Sequence, residues 1–356
     1  MPSDGARLRL AVDAVNLARD RRGMGRIARG ILRAALARPD IEVTLLVDRR
    51  ADADATRAEF PGAALERTAS ARRRDRYDVV WYPFNGMRFP SVAPTLVTMH
   101  DAFAFTEPHP EWVARRREQE PIRRAARYAT RIVTDSAWSR SELARELALD
   151  PARIAVIHPS PDPYWFPAAG DGLPAALRDT RIVLVVGAGE RRKNARLALE
   201  AAAGALRAPA ETLVVAGELS KRDRAFARKR GVPAGEIAAS DATLRALYRH
   251  AALVLVPSLA EGFGLVAVEA MACGAAVIAS GTSALPEATG GAALLLDPRD
   301  AEPWSAAIRG LLDDPAALAA LRARGTARFA YADRTASVRA TVDLLADVSA
   351  SGAAAR

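Results

Sequence analysis

Short apolar runs alternate with helical patterns along almost the whole chain, and this alternation limits the possible folds more than any other feature. In the first half, the strand-like runs are Leu8–Val15, Ile41–Asp48, Asp78–Phe84, Thr95–His100, Arg131–Thr134 and Ile154–Ile157. Helical patterns fall between several of them, at Gly25–Leu36, Glu111–Ala129 and Ser139–Ala148. Strands separated by helices pair as parallel neighbours through crossovers, so βαβ units are expected. A Pro-rich stretch, Pro159 to Pro174, with Gly170 and Gly172 inside it, reads as a linker. The pattern then restarts. Strands are expected at Ile182–Val186, Thr212–Ala216, Leu253–Val256, Ala276–Ala279 and Ala293–Leu296. Helices are expected at Ala195–Ala205, Ala242–Ala251, Leu265–Cys273, Trp304–Leu312 and Ala316–Arg328, with a last one at Arg334–Val348. The small, polar tail Ser349–Arg356 is expected to fray.

At 356 residues the chain exceeds one ordinary core. The expected fold class is therefore α/β, with two Rossmann-like doubly wound domains over residues 1–165 and 175–330. Residues 331–350 form a C-terminal helix expected to pack back on the first domain. Doubly wound sheets bind ligands beyond the carboxyl ends of their strands, so a crevice between the two domains is the expected substrate site. No run of about 18 apolar residues occurs, and Met1–Arg9 carries no signal-peptide pattern. Cys273 is the one cysteine, which rules out an intramolecular disulfide and fits a reducing cytoplasm. It is read as a packing residue. His109, His158 and His250 lack metal-ligand spacing, and no metal site is expected.

The formal charge is +9, yet only Lys193, Lys221 and Lys229 are lysines; the other basic residues are arginines. Such a balance suits polyanions or an anionic membrane surface, but solvated faces are the simpler account of Arg72–Arg74, Arg115–Arg117 and Arg123-Arg124. The basic helix Glu111–Ala129 admits a peripheral contact with the inner membrane face. Trp112, Trp138, Trp165 and Trp304 are read as packing or rim residues.

Two segments carry chemistry. In LVLVPSLAEGFGLVAVEAMACG (Leu253–Gly274), a strand enters a short loop holding Glu261, Gly262, Phe263 and Gly264, and a helix holding Leu265 and Glu269 follows. The glycines admit a ligand close to the backbone, and the helix start favours an anion. A carboxylate can take both hydroxyls of a ribose. A plain capped helix, with Glu261 offsetting its dipole and Glu269 exposed, fits the same residues. In IVLVVGAGERRKNARLAL (Ile182–Leu199), a strand ends at Gly187, and Arg191, Arg192 and Lys193 precede a helix. That order suits a diphosphate, at roughly 1.5–3 kcal/mol per charged hydrogen bond; a solvated basic turn is the alternative. No Walker signature is present.

Together these segments resemble the retaining glycosyltransferases of the GT-B fold, family 4. Glu261 and Glu269 match the E-x7-E motif, and Arg192-Lys193-Asn194 matches a basic diphosphate motif. The order LYRHA, LVLVP, EGFG, EAMACG, ALPEATGG and ALLLDP is also similar. The resemblance implies that Glu269 binds the donor ribose. Glu261, with Gly262, Phe263, Gly264 and Leu265, would face the donor sugar, while Arg192 and Lys193 neutralise the leaving diphosphate, with Gly187 beside them. In the first half it implies a Gly-rich loop with Gly23 and Gly25 near the diphosphate. His100 would lie near the transferred sugar, Asp101 on the acceptor side, and Ser136 next to the site. His100, Arg192, Lys193 and Glu261 are thus the catalytic candidates. The implied reaction moves a hexose, GDP-mannose being the donor favoured by the Arg-Lys-Asn motif, to a glycan, glycolipid or small-metabolite hydroxyl. It retains configuration and uses no cofactor or metal. The chain departs from the family at Ile157-His158-Pro159-Ser160-Pro161-Asp162, which lacks a glycine, and at Val266, often proline.

Other classes read parts of the sequence. Gly23-x-Gly25-x-x-Ala28 with Asp48 mimics an NAD-binding fingerprint, but Asn16–Arg22 stands where a tight turn is needed. A nucleic-acid binder would suit the charge, but aromatics are not interleaved with the arginines. A binding-only relative, an epimerase or a phosphorylase would share the fold.

Overall fold

Two parallel sheets organise the chain in this computed structural model, which describes residues 7–20, 23–166, 172–330 and 335–354. The chain divides into one unit of Met1–Ser160 with Thr335–Arg356 and a second of Pro161–Arg334. Gly170, within the expected linker, and Arg21-Arg22, before the Gly-rich segment, lie outside the described residues.

The first unit's sheet is built from β1 (Leu8–Asp13), β2 (Ile41–Leu46), β3 (Ala64–Glu66), β4 (Val79–Tyr82), β5 (Thr95–Thr98), β6 (Arg131–Thr134) and β7 (Ile154–Val156). Their order is β3-β2-β1-β4-β5-β6-β7, and every pairing is parallel. Helices α1 (Gly23–Leu36), α2 (Arg50–Glu59), α3 (Phe103–Thr106), α4 (Trp112–Tyr128) and α5 (Ala137–Leu147) connect them. The sheet is buried on both faces: Leu10 and Val12 join one core, Ala11 the other. This is why its strands read as continuous apolar runs.

The second sheet has the order β10-β9-β8-β11-β12-β13, again parallel throughout. Its strands are β8 (Arg181–Val186), β9 (Glu211–Ala216), β10 (Ala234–Ile237), β11 (Leu253–Val256), β12 (Ala276–Ser280) and β13 (Leu294–Leu296). The helices are α6 (Ala195–Ala205), α7 (Lys221–Lys229), α8 (Asp241–His250), α9 (Leu265–Ala272), α10 (Leu285–Thr289), α11 (Ala301–Asp313) and α12 (Pro315–Ala330). Ile182 and Leu184 face the layer with α8 and α9, while Val183 and Val185 face the layer with α6 and α11.

The last helix, α13 (Ala336–Ala354), returns to the first unit and places Val342, Leu345 and Val348 in its core beside α1. It continues to Ala354, into the tail expected to fray, because Ala and Ser support helix once the preceding turns are docked. The Pro-rich stretch is not all linker either. Pro163–Trp165 makes one turn, and Trp165 is buried edge-on to Tyr248 at 5.7 Å between ring centroids. Cys273 Sγ donates to the Trp165 carbonyl at 2.8 Å.

Candidate functional site

In the second unit the strand order reverses between β8 and β11. Loops leaving adjacent strands at such a reversal part in opposite directions and leave a crevice. The loop after β8 carries Arg192 and Lys193; the loop after β11 carries Glu261. The structure brings all three together. Lys193 Nζ lies 2.7 Å from Glu261 Oε1, and Arg192 Nη1 lies 2.9 Å from Oε2. Ser258 Oγ also donates to Oε1 at 2.7 Å. Glu261 is buried. Burial alone would raise its pKa, but Lys193 and Arg192 outweigh it and hold the carboxyl below its usual range. The cluster is therefore two cations sharing one buried carboxylate, with the more exposed Glu190 as a second partner of Arg192 at 2.7 Å.

Local backbone chemistry fixes this cluster. Gly187 has φ +80°, and the Lys193 methylenes pass where a Cβ would point, the nearest 3.6 Å from that position. Asn194 stands in the left-handed region at φ +53°, which asparagine tolerates. Its amide donates to the carbonyls of Pro257 at 3.1 Å and Pro298 at 2.8 Å. Leu259 N donates to the Arg192 carbonyl at 2.8 Å, and Glu261 N to Ser283 Oγ at 3.0 Å. These bonds lock the two loops in register.

Gly262 and Phe263 continue the loop, and Gly264 caps α9 with φ +103°. Leu265 opens the helix. Glu269 lies in its second turn, about 6 Å along the axis from Leu265. The exposed position of a plain capped helix is not what the structure gives: Glu269 is 3% exposed, with the Tyr248 hydroxyl 3.5 Å from Oε2.

In the first unit, the candidates line the carboxyl edge of β4, β5 and β6. His100 Nδ1 contacts Asp135 Oδ2 at 2.6 Å, and Nε2 contacts the Pro83 carbonyl at 3.1 Å. Burial alone would lower its pKa, but Asp135 and the Pro83 carbonyl push it up to about 9. The ring is thus an imidazolium donating from both nitrogens, a fixed cation and not a base. Asn85 Oδ1 accepts from His100 N at 2.6 Å, and Ser139 Oγ donates to the His100 carbonyl at 3.0 Å. Ser136 is the buried N-cap of α5, accepting from Ser139 N at 2.9 Å. Asp101 accepts from Phe103 N at 3.0 Å and opens the turn into α3.

Gly23 and Gly25 correct the expected loop: both stand in the first turn of α1. Gly25 is needed for close approach, since a Cβ there would collide with the Asp20 carbonyl. Arg29, one turn on, is buried and explains that approach. Its Nε donates to Glu59 at 2.7 Å, Nη1 to the Asp20 carbonyl at 2.6 Å, and Nη2 to the Leu17 carbonyl. Arg19 pairs with Asp52, so α2 holds the β1–α1 loop at two points.

Sequence reasoning missed Asp13, Asn85, Asp135, Ser258 and Arg29. A polar residue at the carboxyl end of an apolar strand was the available signal for Asp13 and Asp135. Asp13 Oδ1 accepts from Val15 N, and Oδ2 has no hydrogen-bond partner among the described residues. Burial pushes its pKa up to about 6. The unfolded chain loses this proton near pH 4, whereas the folded chain holds it to about pH 6. Stability should therefore fall across that window, by about 2–3 kcal/mol. Asp13→Asn is expected to raise the urea midpoint of the first unit at pH 7.5 and to change it little at pH 4. Equal gains at both values would discredit the buried-charge account.

Comparison with known proteins agrees with this geometry. Residues 180–314 match the model of Glycosyl transferases group 1, and residues 22–165 match that of Glycosyltransferase Family 4. D-inositol 3-phosphate glycosyltransferase 1 of Catenulispora acidiphila is 36% identical over 225 residues, 55% of this chain and 52% of that protein. The chain thus spans about half the length of that relative. O-antigen chain mannosyltransferase B of Escherichia coli is 30% identical over 273 residues, 72% and 71% of the two chains. Two solved structures share the fold. WaaG, a glycosyltransferase involved in lipopolysaccharide biosynthesis, has a TM-score of 0.73 at 16% identity, covering 95% of this chain and 99% of WaaG. HepE of Anabaena, in complex with UDP-glucose, has a TM-score of 0.73 at 17% identity, with the same coverage. With both halves matched and two Rossmann-like sheets in sequence, the chain belongs to the family 4 glycosyltransferases of the GT-B fold.

Proposed function

We propose that this glycosyltransferase takes a hexose from a nucleotide-diphosphate sugar bound on the second unit and transfers it to an acceptor hydroxyl with retention of configuration. The observation that carries the reading is the meeting of Arg192 and Lys193 on Glu261 at the strand-order reversal. As the glycosidic bond breaks, its electron pair goes to the β-phosphate oxygen. Fixed cations aimed there stabilise the transition state more than the ground state, by about 3 kcal/mol per donor. Glu261, with both oxygens engaged by cations, is suited to aim them. It is poorly suited to attack the sugar, which favours approach of the acceptor on the leaving-group face. Glu269, buried in the second turn of α9, is the proposed ribose ligand, and His100 a fixed charge near the transferred sugar.

GDP-mannose is the proposed donor, supported by the Arg-Lys-Asn motif and by the mannosyltransferase relative. An inositol phosphate or a growing glycan is the proposed acceptor class, from the names of the relatives. Thermal-shift measurement against nucleotides and sugar nucleotides tests the donor. GDP-mannose at about 100 times its Kd should add about 2.7 kcal/mol to the second unit's stability. Glu269→Ala should abolish that shift. Stabilisation by NAD alone, or by oligonucleotides alone, would replace the proposal with an oxidoreductase or a nucleic-acid binder.

A further inference from the structure

Helix α4 buries only Ile122 and Ala125 of its 17 residues. It is nevertheless held firmly. The Pro121 carbonyl accepts from Met87 N at 2.9 Å, Gln119 donates to the Ala104 carbonyl at 2.7 Å, and Arg124 donates to the Arg88 carbonyl at 3.0 Å. At about 100° per residue, its outward arc carries Trp112 and Val113 at one end, Tyr128 at the other, and Arg116, Arg123 and Arg127 between them. Trp112 is 66% exposed, Val113 50% and Tyr128 61%, so three of the six exposed large apolar side chains among the described residues share one helix with its cations. Arg116 lies over the Trp112 ring at 5.8 Å, and Arg127 over Tyr128 at 5.2 Å. Six arginines against Glu118 and Glu120 leave the helix at +4.

We propose that the outward face of α4 lies on an anionic phospholipid bilayer. The arginines would meet the lipid phosphates, and Trp112, Val113 and Tyr128 would enter the headgroup layer. The aromatics decide between polyanions. They sit at the two ends of an arc about 24 Å long, as interfacial anchors do, and do not alternate with the cations as base-stacking groups do. The apolar area is small, so attraction to lipid charge carries the binding and salt should reverse it. Docking here would bring the enzyme to acceptors carried in a membrane. It stands apart from the donor chemistry proposed above.

Flotation of the full chain with vesicles tests it without any substrate. Binding is expected to phosphatidylcholine vesicles containing about 30% phosphatidylglycerol, and not to phosphatidylcholine alone or in about 0.5 M NaCl. Arg116→Glu/Arg123→Glu should weaken binding roughly thirty-fold or more, on the scale of two lost surface cations. Arg116→Lys/Arg123→Lys should keep it, and Trp112→Ala should weaken it in low salt. Arg73→Glu/Arg74→Glu makes the same charge change at exposed positions of the same unit and should cost at most a fewfold. An equal loss in that control, binding to neutral vesicles as strong as to anionic ones, or retention of duplex DNA but not vesicles would each overturn the proposal.

Discussion

Lys193→Ala is expected to lower turnover by about 10² or more, with little change in the Michaelis constant for the donor. The ammonium is 2.7 Å from Glu261 in a pocket where the side chain is only 13% exposed, so solvent cannot substitute for it when charge develops on the leaving diphosphate. Arg192 should remain paired with Glu190 and Glu261, both within 3 Å, so the loop should stay folded while one cation is lost. Lys193→Arg should not fully restore the rate, because a planar guanidinium does not present its charge as a compact ammonium does. Steady-state kinetics with the true substrates decides the matter; wild-type turnover in Lys193→Ala would remove the cations from the mechanism. The same trio sets an acid limit. Because Glu261 is held below its usual range, its share of stability is full above the unfolded value of 4.5 and is lost as pH falls through the lower folded value.

Arg29→Ala should cost the first unit about 3–5 kcal/mol. The guanidinium is buried, and its removal takes three hydrogen bonds at once, to a Glu59 oxygen and to the carbonyls of Leu17 and Asp20. Arg29→Lys should recover little, since one ammonium cannot reach three acceptors laid out for a fork. Urea unfolding measures this directly. A loss under about 1 kcal/mol would mean the loop holds itself without the clamp.

Much of the fold could be read from apolar periodicity, because strands buried on both faces leave unbroken runs such as Leu253–Val256 and Ile182–Val186. The elements that escaped lacked that signature. Strand β3 (Ala-Leu-Glu) and β10 (Ala-Gly-Glu-Ile) are short edges with weak strand propensity. Helix α2 buries only Asp52 and Thr56, and α7 only Ala227, so neither shows an apolar stripe. At the candidate site, Glu261, Arg192 and Lys193 were visible as charges between a strand and a helix. Ser258 and Asn85 were not, because a serine or an asparagine acquires meaning only when folding supplies its partner. Gly23 and Gly25 looked like a loop because nothing local announces that a carbonyl crosses a helix's first turn.

The return of α13 makes the second unit an insertion within the first. A fragment ending at Ser160 would lack Val342, Leu345 and Val348, and would present the bare apolar flank of α1 to solvent. During synthesis the first unit's core therefore stays incomplete until α13 has been made. Loss of α13 would harm the first unit more than the second. The first unit is thus discontinuous in sequence, while the second, Pro161–Arg334, is one continuous stretch that could be produced and melted by itself.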